Sequence, residues 1–306
     1  MRVMLLILAV IADVSLGEPR RWHPLVGFGT YAERLEARFN RFSAQATEGA
    51  RWRGLLALLC SISPPMLMCV LLTRLPYVGI AVQIGVLYLA LGHRSLHEHA
   101  LGVREALVRS DLASARERVG LIVSRDTAAM QRTDVVLATV ESILENGNDA
   151  VFGALFWFLV AGAPGALLYR LVNTLDAMWG YRIPRYLYFG WAAARFDDLL
   201  NWVPARLTAL TYALAGSLRT ALRCWREQGI LWNSPNAGLV MAAGAGALHV
   251  RLGGGAFYPG HWRERPALGV GPQPQITDIS RALRLVQRSL WMWIIGAACI
   301  QALLDA

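Results

Sequence analysis

Lysine is absent from this 306-residue chain, so all 30 of its basic residues are arginine. A Walker A phosphate loop and a Schiff-base or pyridoxal-phosphate site both depend on a lysine amine, and those chemistries are excluded. A coding bias toward arginine accounts for the absence, and the exclusion holds whatever its origin. Cysteine is scarce as well: Cys60, Cys69, Cys224 and Cys299 form no CxxC pair, and three lie in apolar runs, where they read as small buried hydrophobes. No Gly-x-Ser-x-Gly elbow is present, which leaves covalent Ser or Cys catalysis unsupported. Charge is the third scarcity. Only 17% of residues are charged against 55% hydrophobic, and 30 basic residues outnumber 21 acidic ones for a net +9. A typical soluble chain is roughly 25% charged, so a membrane protein is the first reading.

The long apolar runs agree. Gly54 to Thr73 covers twenty residues, the length that crosses a hydrocarbon core, and Leu75 to Gly92 is a second run. With only Arg74 at a Leu75-Pro76-Tyr77 bend between them, the two predict a transmembrane hairpin whose outer ends share a side. Seven arginines precede it (20, 21, 34, 38, 41, 51 and 53) and seven follow (94, 104, 109, 116, 118, 125 and 132). The positive-inside rule makes both flanks cytoplasmic. The opening MRVMLLILAVIADVSLGEP resembles a signal peptide, but Asp13 and Gly17-Glu18-Pro19 follow the apolar stretch and speak against cleavage.

From His93 to about residue 150 the periodicity is helical and the composition polar, which predicts a cytoplasmic helical insert within a single membrane-embedded domain spanning 1–306. Ser110 and Asp111 offer an N-cap, and a further helix is expected over Thr133 to Glu145. His93, His97 and His99 surround Glu98 without the HExxH order of a zinc site, so an interfacial polar cap is their default. Val151 to Val172 is apolar but broken by Ala161-Gly162-Ala163-Pro164-Gly165. It could span once, or re-enter as two half-helices; polar motifs at both ends, ENGND and NTLD, favour re-entry if they serve one site. Ala205 to Leu222 reads as an amphipathic segment, Ala237 to Val250 as a Gly/Ala helix suited to close contact in a membrane, Gly253 to Gln275 as loop, and Ser289 to Leu304 as a short final helix. The fold class is therefore all-α and polytopic, with a broken or re-entrant helix.

Chemistry is carried by acids and amides around the broken run. Glu141, Glu145 and Asp149 recur at i, i+4 and i+8, stacking like charges that call for a cation; Mg²⁺, which takes carboxylate oxygens and keeps positions for phosphate, suits them. Asn173 and Asp176 follow, then Asp197, Asp198 and Asn201. A solvated helix face is the bland alternative, but ionisable groups beside membrane segments are costly and point to function. Arg125-Asp126, Arg182, Arg185, Arg195 and Arg251 supply guanidinium forks for phosphate or carboxylate, each also readable as a positive-inside anchor. Ser234-Pro235-Asn236-Ala237-Gly238 opens a helix, where free N–H groups favour anions.

The stretch from SRDT at 124–127 through ENGND, NTLD and the FGW-to-DD block at 189–198 closely resembles the CobD/CbiB family, the adenosylcobinamide-phosphate synthases. GEPRRWHPLVGFG, RSLHEHAL, SPNAG and RLGGGAFYPG extend the resemblance from about Asp13 to Arg288. The resemblance implies an integral membrane enzyme that joins adenosylcobyric acid to (R)-1-amino-2-propanol O-phosphate, or to aminopropanol itself, as an amide, using ATP and Mg²⁺. It places Glu141, Asn146, Asp149, Asn173, Asp176, Asp197 and Asp198 in the catalytic set. Glu141, Asp149 and Asp176 would hold the metal. Arg125, Asp126, Arg195, Ser234, Asn236, Arg251, Asp13, Glu18 and His23 would contact substrate or phosphate. The lipid bilayer and other late cobalamin-pathway membrane enzymes are the implied partners, and no nucleic acid is expected. Gly147-Asn148 and Ala150 depart from the Thr-Ser and Gly of the family pattern, so a hydroxyl is not essential at those positions. A transporter and a non-catalytic regulator on the same scaffold are the alternatives; acids clustered at run ends, rather than at mid-membrane depth, favour the enzyme.

Overall fold

The computed structural model describes residues 1–19, 23–40, 48–258 and 261–306. Arg20, Arg21 and Arg41 of the basic flank, Trp22 of the first motif and Pro259-Gly260 of the last lie outside the described residues. The described chain is helical apart from two small two-stranded sheets. Among the described residues four stretches are long and apolar enough to cross a membrane, namely Gly49–Thr73, Val78–Val108, Arg132–Trp179 and Ile276–Asp305. The protein is thus an all-α polytopic membrane protein. It divides into two compact units: Met1–Gly92 with Gly153–Asn201, and His93–Phe152 with Trp202–Ala306.

In the first unit, α1 (Arg2–Leu16) buries Leu5, Leu6, Ala9 and Asp13, and α2 (Pro24–Phe39) starts with proline at its first turn. The predicted hairpin forms as α3 (Glu48–Thr73) and α4 (Val78–Ala90). Its bend is tight: a Cβ on Gly79 would lie 2.4 Å from the Thr73 carbonyl oxygen, so only glycine fits there.

The broken apolar run is α8 (Gly153–Trp179), interrupted at Gly162, whose φ of 67° and ψ of −155° no helix contains. Pro164 follows and cannot continue the preceding ladder. In a straight helix residues 153 and 169 would stand about 24 Å apart at 1.5 Å per residue. Here a Cβ on Gly153 would lie 2.1 Å from the Tyr169 ring, and one on Gly165 would lie 2.3 Å from the Trp157 carbonyl oxygen. The two arms therefore fold back on each other as a pair of half-helices, the geometry expected of re-entry. The first arm ends with exposed carbonyls, and Arg2 donates from one guanidinium nitrogen to Leu159 O and Val160 O, both at 2.9 Å. The unit closes with a turn over 180–190 and the first part of α9 (Trp191–Ala215).

The second unit holds α5 (His93–Val108), α6 (Leu112–Gly120), capped by Asp111 on Ser114 N–H at 3.0 Å, and α7 (Arg132–Gly147). The 93–150 segment is not free-standing: α5 and α7 lie against the last helix, α12 (Ile276–Asp305). After α7 the chain makes a π-helical turn at Asn148–Phe152. The expected 205–222 segment is divided near Gly216 between the end of α9 and α10 (Leu218–Gln228). The Gly/Ala helix is α11 (Ala237–Leu248); at twelve residues it is too short to span and is instead buried, Gly244 against Leu144 of α7 and Gly246 against Ala221 of α10.

The 253–275 segment is not plain loop, as its composition suggested. β1 (Arg251–Gly253) pairs antiparallel with β4 (Ala267–Gly269), and β2 (Ala256–Tyr258) pairs with β3 (His261–Arg263). Strands of three residues carry no readable alternation. The final helix begins thirteen residues before the expected Ser289, at a Gln275/Asp278 capping box.

Candidate functional site

In the first unit, the return arm of α8 presents Asn173 and Asp176, and the first turns of α9 present Asp197, Asp198 and Asn201. Asp197 is clamped by two amides: Asn173 Nδ2 donates to Oδ1 at 3.2 Å and Asn201 Nδ2 to Oδ2 at 3.0 Å. Asn201 is itself fixed by Tyr169, whose hydroxyl donates to Oδ1 at 2.8 Å. The i, i+4 spacing of Asp197 and Asn201 was readable; Tyr169 was not, because 32 residues separate it from Asn201 and no spacing links them.

Asp176 differs from Asp197. Its carboxylate accepts no hydrogen bond among the described residues and lies within electrostatic reach of Asp197 and Asp198. Gly180 makes room for it, since a Cβ there would lie 2.0 Å from Asp176 Oδ1. Asp198 is ion-paired with Arg195 at 3.4 Å. Burial pushes its carboxyl above the ordinary value, opposed by Arg195 and Arg182.

This donor set suits Mg²⁺, which takes one or two protein carboxylates and completes its shell with water and phosphate oxygens. Among the described residues no group of three His, Cys, Asp or Glu side chains forms a full protein cage.

Elsewhere in this unit, Asp13 is buried on α1, and its carbonyl oxygen accepts the Gly17 N–H at 2.9 Å. Glu18 and His23 line a cavity of about 770 Å³ with Arg170, Thr30 and Thr174. His23 also caps α2, its Nδ1 accepting from Leu25 N–H at 3.2 Å.

In the second unit, Glu141 is not a free metal ligand, which corrects the sequence expectation. Oε1 accepts from Gly253 N–H at 2.8 Å and Arg265 Nη2 at 3.4 Å; Oε2 accepts from Arg265 Nη1 at 3.0 Å and from Arg125 Nη2. A carboxylate has about four acceptor sites, and here all are used by two guanidinium groups and a backbone amide. The cation that balances Glu141 is therefore arginine. Arg125 is correspondingly committed to Glu141. Arg265 was missed, because 124 residues separate it from its partner and no spacing links them.

After α7 the π-turn begins at Asn148, still in right-handed helical geometry, and Asp149 Oδ1 accepts from Asn148 Nδ2 at 2.8 Å. The departures from the family pattern acquire a reason here. A Cβ on Gly147 would lie 2.0 Å from the Tyr212 hydroxyl, and the hydroxyl missing at 148 comes from Thr208, which donates to Asn148 Oδ1 at 2.9 Å.

Asn146 donates back to Ser142, Asp126 closes a turn on Ala128 N–H, and Arg251 is exposed at the start of β1. Ser234 Oγ accepts from the Asn236 and Ala237 N–H groups, at 3.3 and 3.1 Å, capping α11. Asn236 is buried with Arg206 at 3.4 Å.

A family model described as CobD/Cbib protein matches residues 6–286. The chain belongs to the CobD/CbiB family. It is similar to proteins named cobalamin biosynthesis protein CobD: 59% identical to that of Chromobacterium violaceum, over 94% of this chain and 92% of that protein. It is 58% identical to that of Stutzerimonas stutzeri, over 94% of both chains. It is 40% identical to that of Mycobacterium tuberculosis, over 93% of this chain and 91% of the relative. No solved structure matches.

Proposed function

We propose that this CobD/CbiB family member acts in cobalamin biosynthesis as an adenosylcobinamide-phosphate synthase of the cell's inner membrane. It joins adenosylcobyric acid to aminopropanol phosphate or aminopropanol, with ATP and Mg²⁺ and a cytoplasmic site. The observation that carries the reading is the first-unit cluster, in which Asp176 stands without a hydrogen bond among the described residues beside a clamped Asp197 and an arginine-paired Asp198.

Forming an amide from a carboxylate requires a better leaving group than oxide. In the reaction we propose, the substrate carboxylate oxygen attacks the terminal phosphorus of ATP and ADP departs. The amine nitrogen then attacks the acyl carbon, the C–O bond breaks and phosphate leaves. Such transfer is mostly positioning and charge neutralisation. Asp176 and Asp197 would hold Mg²⁺, which when bound neutralises phosphate charge. The two amides fix Asp197 so that its oxygens need no reorganisation. Asp198, made more basic by burial, takes the proton that the amine must lose. Arg195 faces the phosphate.

The test is incubation of the detergent-purified protein with adenosylcobyric acid, ATP, Mg²⁺ and either amine, reading the amide by mass. Product from the wild type and none from Asp176→Asn is expected. Undiminished synthesis by Asp176→Asn would contradict the assignment.

A further inference from the structure

In the second unit, the exposed face of α12 changes from basic to apolar along its length. Its exposed positions read Arg281, Arg284, Arg288, Trp291 and Ile295, three to four residues apart and therefore on one side of the helix. Trp291 is 57% exposed and Ile295 60%, as side chains facing hydrocarbon are, and tryptophan is the residue that settles at the headgroup level. The edge of the bilayer on α12 therefore falls between Arg288 and Ile295.

A second pair of helices places the edge at the same level. Leu207, Leu210 and Leu214, on the last turns of α9, are exposed. Trp293 of α12 donates its indole N–H to Thr211 Oγ1 at 3.3 Å, which sets the apolar faces of the two helices side by side. The chain then turns near Gly216 into α10, where Ala221 and Cys224 are buried and Arg219, Arg223 and Arg226 are exposed on the opposite face. The start of α10 and the first turns of α12 meet at one end of α11: Ser217 N–H donates to Ala247 O at 3.2 Å, and Arg281 Nη2 to Leu248 O at 2.8 Å. Past both apolar stripes, the exposed face is thus arginine.

These charges are not balanced within the protein. Arg281 is taken by Asp278 at 2.5 Å, but among the described residues Arg219, Arg223, Arg284 and Arg288 form neither an ion pair nor a hydrogen bond. Glu227 is the one acid on α10, and Asp278 the one acid of α12 ahead of its apolar part. A row of guanidinium groups directly above an apolar belt calls for an anion, and the anion held at that depth is a lipid headgroup.

We propose that this face selects anionic phospholipids. Their headgroups pair with Arg219, Arg223, Arg284 and Arg288, and their chains cover Leu210, Leu214 and Ile295. A zwitterionic lipid carries the same phosphate but offsets it with its own amine, so net negative charge is what the arginine row distinguishes. None of these residues belongs to the Asp176 cluster, and the lipid is expected to bind whether or not the chain forms an amide.

The test places the full chain in phosphatidylcholine nanodiscs with a trace of photoactivatable phosphatidylglycerol or photoactivatable phosphatidylcholine. After irradiation and digestion, mass spectrometry reads the crosslink yield on the peptide carrying Trp291. In the wild type the phosphatidylglycerol yield is expected to exceed the phosphatidylcholine yield by about fivefold for each arginine the headgroup meets, the scale of one basic residue at an anionic surface. Rising salt should shrink that preference. Arg284→Gln with Arg288→Gln, and separately Arg219→Gln with Arg223→Gln, should bring phosphatidylglycerol toward the phosphatidylcholine level. Arg284→Lys with Arg288→Lys keeps both charges and should keep the preference, as should Arg109→Gln, an exposed position on neither helix. An unchanged phosphatidylcholine yield in each variant shows that the chain is still folded and inserted. Equal yields from the two lipids in the wild type, or a preference untouched in both Gln pairs, would overturn the proposal. Loss of the phosphatidylglycerol crosslink on adding inorganic phosphate would also overturn it, by making the occupant a soluble anion.

Discussion

Gly153, at the start of the first α8 arm, lies directly against the Tyr169 ring of the second, with a would-be Cβ 2.1 Å from Tyr169 Cζ. Tyr169 is fully buried, and its hydroxyl holds Asn201, which in turn holds Asp197. The reversal of the broken helix and the arrangement of the acidic site are thus one chain of contacts. Gly153→Ala is expected to push the ring aside at a cost of about 1–3 kcal/mol, the range for overpacking. Thermal unfolding in detergent would show it. Tyr169→Phe tests the polar link alone: about 1 kcal/mol of stability lost, with amide synthesis reduced through a loosened Asp197.

Buried Glu141 balances buried Arg265 and partly buried Arg125. Glu141→Gln leaves two guanidinium groups without their anion and is expected to destabilise by about 3–5 kcal/mol, as for a broken buried pair. Hydrogen exchange at Gly253, whose N–H donates to Glu141, should rise in step with that loss. Metal affinity should be unchanged apart from unfolding, which separates a structural carboxylate from a ligand.

Asp198 has a carboxyl raised above 3.8 by burial, with Arg195 and Arg182 opposing. Its ionised form is the costly one in the folded state. Its contribution to stability is therefore fully present below the unfolded value and is lost as pH rises through the raised one. Asp198→Asn should consequently stabilise the protein at neutral pH while lowering amide synthesis. Arg195→Ala removes an opposing charge, so the acid limb of the pH–rate profile should move to higher pH.

His23 can cap α2 only with Nδ1 unprotonated, and burial, ahead of the opposing Glu18, lowers its pKa from 6.5. The unfolded chain then binds the proton more readily, so stability falls as pH drops through 6.5 toward the lowered folded value. Exchange of the Leu25 amide should accelerate over that window. His23→Asn, a strong cap that does not titrate, should abolish the pH dependence, and His23→Ala should cost about 1 kcal/mol above pH 6.5 and less as the pH falls below it.

Much of the fold was legible because it is local. The α3/α4 hairpin follows from two apolar runs and a proline bend, the Asp111 cap from one side chain, and the α8 break from Gly162 followed closely by Pro164. The short strands over 251–269 and the early start of α12 were not legible. Three-residue strands show no period, and the first turns of α12 are polar enough to read as loop.

The sequence by itself determined an apolar, lysine-free, all-α membrane protein whose acids and amides gather around one broken helix, and its motifs identified the CobD/CbiB family. Each of these is a property of composition or of residues a few positions apart. Tertiary structure decided which charges cancel. Glu141 looked like a metal ligand until Arg265, 124 residues away, took its oxygens. Asp176 kept its carboxylate clear while Asn173, 24 residues away, and Asn201 closed on Asp197 instead. Whether a carboxylate is a ligand or half of an ion pair depends on what lies within about 3 Å of its oxygens, and that distance is fixed by folding rather than by spacing.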